Sequence, residues 1–488
     1  MKTVSIKKNI IINTFYQILT MIIPFVTAPY IARVIGPKGV GVYSFTTSIQ
    51  TYFSMFAALG TVSYGARLIA RARDNEEERS KYFWEIEILT ILTSIICLIG
   101  WGMLIYFCKE YKIYYLILTM NLLNTMFDIS WFYTGLEQFK YTVTQNSIFK
   151  ILGVILLFIF VKDSSDLGIY MTIMSLTTLL GTMSMWLYLP KFLKKINFKD
   201  IKIKYHFKET FIYFIPTIAT SIYTVLDKTL IGIITNSEEE NGYYEQATKI
   251  INMTKALTFT AVNSVVGSRI SYLFVNNEID EIKERIHTSI NYIFFMGFGI
   301  MFGLIGVASN FVPLFFGTGY DSVINLIRIL SPIVIIIGIS NCLGSQYYNP
   351  AGLRAQSAKY IIVGSITNLF LNLLFIPKFS SYGAAIATII AETVISILYL
   401  KNCNNFVNTK NLLQYSWKKI IAGIIMLIII FLTGIIKINS KMLMLMLQVI
   451  FGFTTYIVIL MLLKDDFINF AISKLQNMKI IKMIKKRN

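Results

Sequence analysis

Apolar runs long enough to cross a bilayer recur along the whole of this 488-residue chain, and nothing else in it restricts the fold as strongly. A spanning helix needs roughly 20 apolar residues. About 14 such runs can be placed, near 9–33, 41–65, 85–107, 113–135, 144–161, 168–190, 210–235, 245–272, 286–312, 322–348, 358–376, 382–402, 418–436 and 442–463. Their connections are short, which leaves no room for a sizeable soluble domain. The expected fold class is therefore an all-α polytopic membrane protein. The first run is too long for a cleavable signal peptide and lacks a small-residue cleavage site. Cys97, Cys108, Cys342 and Cys403 lie in or beside spans, as small buried side chains do.

Charge sets the orientation. The net charge of +19 would suggest a nucleic-acid partner in a soluble protein. Here the bases follow membrane side instead of gathering on a domain, so no nucleic acid is expected. With a cytoplasmic N-terminus, that side receives Lys2, Lys7 and Lys8, the loop from Arg67 to Lys81, the linker 191–208 and the basic tail 464–488. Roughly 33 of the 45 basic residues then lie inside and about 9 outside, as the positive-inside rule requires. The acidic run Glu238-Glu239-Glu240 falls outside, and both termini are cytoplasmic. The polybasic linker suits anionic membrane lipids, although topology enforcement alone accounts for it equally well. The tail mixes Phe467, Phe470 and Ile472 with lysines, a pattern shared by interfacial helices and disordered ends.

The chain also repeats itself. Gly41-Val-Tyr43 returns as Gly242-Tyr-Tyr244, Gly65-Ala-Arg67 as Gly267-Ser-Arg269, and Gly135-Leu136 as Gly352-Leu353. Pro24 and Pro216 occupy matching spans, where each is expected to bend its helix. Six spans separate the copies, an even number, so both halves share one orientation. Six-helix bundles at 1–190 and 209–402 follow, joined by the linker 191–208 and succeeded by two extra spans in 403–463.

Polar side chains inside the spans fall on stripes. In 211–235, Thr217, Thr220, Ser221, Thr224, Asp227 and Lys228 share one helix side. Asn13, Gln17, Thr20, Pro24 and Thr27 do the same in the first span, with Arg33 at its outer end. Asn252 and Lys255 continue the pattern in the eighth. Isolated hydroxyls commonly glue helices together, but full charges at bilayer depth favour a wet cavity. Arg33, Lys228, Lys255 and Arg328 are suited to phosphate oxygens, with Asn13, Gln17, Thr20, Thr224 and Asn252 beside them for polar substrate groups. Asp227 is placed to pair with one of these bases. Asp128 and Glu392 are lone carboxylates at depth, open to a proton, a sodium ion or a structural role. No cofactor or metal is expected, and the chain carries no His/Cys cluster or phosphate-binding glycine loop of an enzyme.

Several of these motifs together resemble one family. Arg33-Val-Ile-Gly-Pro37 with Gly39 and Gly41-Val-Tyr43 resembles the R-x-L-G-P-x-x-x-G-x-Y/F signature of Wzx-type polysaccharide flippases. Trp131-Phe-Tyr-Thr-Gly-Leu-Glu137 resembles their W-F-x-x-G-x-E motif, and Leu226-Asp-Lys228 with Leu230-Ile-Gly232 their D-K-x-x-L/I-G pattern. Tyr382-Gly-Ala-Ala-Ile-Ala387 with Glu392 is similar to the opening of their twelfth span. The resemblance implies the multidrug/oligosaccharidyl-lipid/polysaccharide exporter fold in a bacterial plasma membrane. It also implies a lipid-linked oligosaccharide substrate on undecaprenyl diphosphate, moved from inner to outer leaflet by alternating access. Polysaccharide polymerase machinery becomes the implied partner, and coupling to protons or sodium stays open. The alternatives are a drug or cation exporter of the same superfamily, or a membrane-embedded polymerase or glycosyltransferase.

Overall fold

The computed structural model describes the backbone of residues 6–436 and 438–473; within that range it leaves side chains 6–15, 17, 21, 200, 215–217, 219–224, 260, 261, 264, 265, 268 and 409–411 undescribed. Among the described residues it is helical, with no strand. The helices are α1 (Ile6–Ala58), α2 (Thr61–Arg71), α3 (Glu76–Phe107), α4 (Lys112–Met126), α5 (Ser130–Gly135), α6 (Phe139–Phe160), α7 (Leu167–Trp186) and α8 (Ile203–Thr235). They continue as α9 (Glu238–Lys255), α10 (Ala261–Val275), α11 (Ile279–Phe316), α12 (Asp321–Leu330), α13 (Ile333–Leu343), α14 (Arg354–Lys401), α15 (Thr409–Ile435) and α16 (Lys441–Leu462).

Among the described residues, eight helical stretches are long and apolar enough to cross a bilayer, or nine if the bent pair α12–α13 forms one span. Two of the stretches are double. α1 breaks at Gly36 (φ 74°, ψ 174°) and α14 at Ser380 (φ 50°, ψ −130°). At 1.5 Å per residue each part is about 30 Å long or more, enough for a crossing. The α4–α5 pair, α8 and the α9–α10 pair supply the remaining runs of spanning length, so the fold is the polytopic helical one the apolar runs predict.

Local chemistry explains the breaks and starts. Gly36 takes a left-handed φ that a side chain would disfavour, and Pro37 then opens the next helix with its φ already set. The dihedral break in α1 thus falls at Gly36 and not at Pro24; Pro216 lies outside the described side chains. Asn75 caps α3, its Oδ1 accepting from the backbone of Glu77 and Glu78 at 3.2 Å each. Glu76, Glu77 and Glu78 add negative charge in that first turn, where the helix dipole favours it.

The chain forms two compact units, residues 1–242 and 243–488. α8, with Asp227 and Lys228, belongs to the first. That unit has an aliphatic cluster around Ile31, Val42, Trp101, Leu118 and Met171. A second, aromatic cluster holds Phe83, Trp131, Phe132, Tyr133 and Phe192. The Trp131-Phe-Tyr motif is therefore packing material: Trp131 stacks on Phe83 at 5.6 Å and lies where a side chain at Gly65 would have to sit. The second unit is built on Ile282, Ile286, Ile290 and Ile293 of α11 with Leu343, Tyr348 and Tyr399, and on Met426, Ile430 and Tyr456 between α15 and α16. Large apolar residues remain exposed along the helices, among them Ile96, Ile99, Ile428 and Ile450, as lipid-facing surfaces require.

The linker 191–208 is pinned to the start of α3. Arg79 donates to the Phe192 carbonyl from Nε (3.2 Å) and Nη2 (2.6 Å), and the Lys194 backbone donates to Ser80. Further on, the Lys202 backbone donates to Glu85 at 2.7 Å, and His206 Nε2 lies 2.8 Å from the same carboxylate. Lys195, Lys199 and Lys204 stay exposed. In the tail, residues 466–473 are helical, and Phe467 rests on Tyr292 and Phe295 of α11.

Candidate functional site

Two adjoining cavities lie within the first unit. One, of about 310 Å³, is lined by Tyr43, Gln50, Ser54, Asn121, Asn124 and Thr125. The other, of about 240 Å³, has Thr20, Pro24 and Thr27 of α1 on one side and Asn146 and Lys150 of α6 among the facing residues. Met174 and Thr178 of α7 line both. The side chains are held in place by their own bonds: Thr125 donates to Ser54 at 3.0 Å, Thr182 to Asn124 at 2.5 Å, and Lys150 to the Tyr16 hydroxyl at 3.0 Å. The amides and hydroxyls of the larger cavity can hydrogen-bond sugar hydroxyls and phosphate oxygens, while the smaller is walled mainly by Ile23, Phe149, Val154 and Met174, with Thr20, Thr27, Asn146 and Lys150 among its polar groups.

The residues singled out in the sequence are spread over both units. In the first, Thr20 lines the smaller cavity as its stripe predicts, while the side chains of Asn13, Gln17 and Thr224 lie outside the described residues. Arg33 is exposed just before the Gly36 break. Asp227 is buried and in the electrostatic range of Tyr52 on α1; Lys228 is half-buried, and its carbonyl accepts from Asn241 at 2.7 Å. Asp128 sits at the α4–α5 junction and accepts from the Ser130 backbone at 2.9 Å.

In the second unit, Lys255 ends α9, immediately before a π-helical turn at Ala256–Thr260, and donates to Asn252 at 3.1 Å. Glu392 is buried and is the carboxylate whose charge Lys255 feels. Arg328 is engaged differently. Its guanidinium donates to the Ile305 carbonyl (3.3 Å), Asn325 (3.4 Å) and Ser309 (2.8 Å), which ties α12 to α11. Lys255 and Asn252 are thus brought together near Glu392, whereas Arg328 serves a helix contact of its own.

Sequence reasoning missed Asn121, Asn124, Thr125 and Lys150. The first three, with Asp128, stand at i, i+3, i+4 and i+7, the same spacing that exposed the stripe in α1. Lys150 is a full charge inside the fifth span, a signal as strong as Lys228.

A family model described as "Polysaccharide biosynthesis protein" matches residues 6–274, more than half of the chain. The chain belongs to that family. Among its relatives is an Escherichia coli (strain K12) protein named "Putative O-antigen transporter", 26% identical over 407 residues, which cover 82% of this chain and 97% of the relative. Another is the "Probable low-salt glycan biosynthesis flippase Agl15" of Haloferax volcanii, 26% identical over 279 residues, with 55% of this chain and 56% of that one covered. Among solved structures, "Lipid II flippase MurJ, inward closed conformation" superposes with a TM-score of 0.72 at 20% identity, covering 94% of this chain and 99% of that one. A structure titled as a multidrug resistance MATE family transporter of the MOP superfamily reaches 0.55 at 14% identity, covering 82% and 94%. These matches bear out the family resemblance carried by the Arg33–Tyr43, Trp131–Glu137 and Leu226–Gly232 motifs, and the fold that comes with it.

Proposed function

We propose that this member of the polysaccharide biosynthesis protein family is a flippase. It moves an oligosaccharide on an undecaprenyl-diphosphate carrier from the inner to the outer leaflet of the bacterial plasma membrane. The observation that carries this reading is the larger cavity, lined by Gln50, Ser54, Asn121, Asn124, Thr125, Ser175 and Thr178 among the membrane-spanning helices. A glycan cannot cross hydrocarbon unless its hydroxyls find partners on the way, whereas a polyprenyl chain can stay in lipid. The relatives named for O-antigen transport and glycan flipping support this substrate class. Two six-helix halves in one orientation suit alternating access. The protein then works by binding and movement, with no bond made or broken, and supplies its substrate to polysaccharide polymerase machinery outside.

Lys255, in the second unit, is the base we assign to the diphosphate. Lys255→Gln removes a charge-assisted hydrogen bond of about 1.5–3 kcal/mol, so flipping should slow roughly ten- to a hundredfold. Thermal stability should change little, because the Asn252 side chain to which Lys255 donates is itself exposed. Arg328→Gln should behave in the opposite way and mainly lower stability, since it strips two bonds between α12 and α11, to Ile305 and Ser309. The assay is vesicles containing a lipid-linked oligosaccharide, with an added glycosidase reading its exposure on the far side. Flipping by Lys255→Gln at the wild-type rate would remove Lys255 from the site.

Orientation belongs to the same reading. Single cysteines at Lys199 and Glu239, in a version lacking the four native cysteines, should be labelled by an impermeant maleimide from opposite sides, the first cytoplasmic. Labelling of both from one side would overturn the assigned topology.

A further inference from the structure

Two glutamates two residues apart on α3 have contrasting surroundings. Glu85 is paired with His206 at 2.8 Å and accepts from the Lys202 backbone. Glu87 is 0% exposed, and neither of its oxygens has a hydrogen-bond partner among the described residues. The indole N–H of Trp131, in the same aromatic cluster, is likewise buried without an acceptor. The charge that Glu87 feels is that of another carboxylate, Asp128.

The other titratable groups around this turn are already engaged. From α2, the Tyr64 hydroxyl lies 2.8 Å from His206 Nδ1, and Arg67 donates to Tyr213. From α8, His206 is held by Glu85. On α3 itself, Arg79 binds the Phe192 carbonyl two turns earlier. The end of α1, residues 50–58, carries no charge.

Burying an ionised carboxylate with no donor is strongly unfavourable, and a second negative charge in range makes it more so. Glu87 therefore needs a cation. A hard metal ion takes several oxygen ligands, but no group of three or more His, Cys, Asp or Glu residues among those described is placed to hold one. A proton needs only one oxygen. A polar cavity lies in the same unit: Asn121, Asn124 and Thr125 line it, and Asp128 continues their stripe by one turn.

We propose that Glu87 is a proton-binding site in the first unit, its buried carboxyl holding one proton. Its use in transport rests on the flippase reading: the proton binds and leaves once per cycle, so a pH gradient drives the movement of the lipid-linked glycan.

Infrared difference spectroscopy of the purified full chain across pH tests the site without any glycan. The wild type should show the C=O band of a buried protonated carboxyl that titrates. Glu87→Gln should abolish it, and Glu87→Asp should retain it at a shifted frequency. If Glu87→Gln does not fold, Asp128→Asn should keep the band but move the pH at which it titrates. A band identical in wild type and Glu87→Gln overturns the site. So does a band that sodium, added at constant pH, displaces. In vesicles, an imposed pH gradient should accelerate flipping by the wild type and not by Glu87→Gln. Flipping by the wild type that ignores the gradient overturns the coupling. A wild type that does not flip at all counts against the flippase reading, while the infrared result still decides the site.

Discussion

Lys419→Ala is expected to destabilise the second unit by about 3–5 kcal/mol, the usual cost of leaving one member of a buried ion pair alone. Lys419 is 0% exposed and Asp465 1%. All three ammonium protons are used: Nζ donates to Asp465 Oδ2 at 2.8 Å, Asn291 Oδ1 at 2.7 Å and the Tyr415 carbonyl at 2.8 Å. The other Asp465 oxygen accepts from the backbone of Phe467 and Ile468, at 3.0 and 3.4 Å, and so caps the helical residues 466–473. One ammonium thereby ties α15, α11 and the segment beyond α16 together. Removing it strands a carboxylate at the foot of a tail that is held otherwise by Phe467 and Ile468. The double change Lys419→Met with Asp465→Leu removes both charges and should recover most of the loss, because apolar replacement of a whole buried pair is often neutral or stabilising. Thermal unfolding in detergent, followed by near-ultraviolet circular dichroism, checks both. A double variant no more stable than Lys419→Ala would show that Asn291 and the tail cap carry the effect instead of the charge pair.

The spans were legible because a bilayer imposes one coarse rule, length of apolar run, that local irregularity cannot hide. The breaks in α1 and α14 fall in the gaps between apolar runs, at the glycine-proline turn near Gly36 and at Ser380 in the serine pair Ser380-Ser381. The stripe in α1 led to a cavity through Thr20, since helical spacing fixes which side chains share a face. What that face meets was not legible. Arg328 has the chemistry of a phosphate ligand, but its partners Ile305 and Ser309 lie about twenty residues earlier on another helix, and spacing carries no information about such contacts. Glu87 escaped for a related reason. In the run Trp84-Glu-Ile-Glu-Ile-Leu89 it reads like Glu85, a border charge at the start of a span; both are buried, and only their partners separate the two. Lys419 likewise reads as one of a pair of basic residues at a membrane edge, yet it is fully buried, and its neighbour Lys418 is half-buried and donates to the Lys464 carbonyl.

The repeat leads to the second large effect. Gly41 and Gly242 are 201 residues apart, and so are Pro37 and Glu238. A Cβ on Gly41 would overlap the Glu238 carbonyl, and a Cβ on Gly242 would overlap the Pro37 carbonyl. Each copy of the motif thus rests its glycine on the position in the other copy that matches its own partner, a reciprocal contact between the start of the second half of α1 and the start of α9. Ser44 and Asn241 hydrogen-bond beside it at 3.3 Å, and Lys38 and Tyr111 both approach the Glu238 carboxylate. Because the obstructing atoms are backbone, no rotamer change can make room. Gly41→Ala and Gly242→Ala should each cost about 1–3 kcal/mol, and valine at either position more, as overpacking does. Gly102→Ala is the control: nothing lies within 4 Å of its would-be Cβ, so the change should be neutral or stabilise by up to about 1 kcal/mol through helix propensity. The double variant Gly41→Ala with Gly242→Ala should cost clearly less than the two single changes added, because one widening of the crossing accommodates both methyl groups. Simple additivity in thermal unfolding would mean that the two glycines serve separate contacts, and the repeat would then have no shared axis at this point.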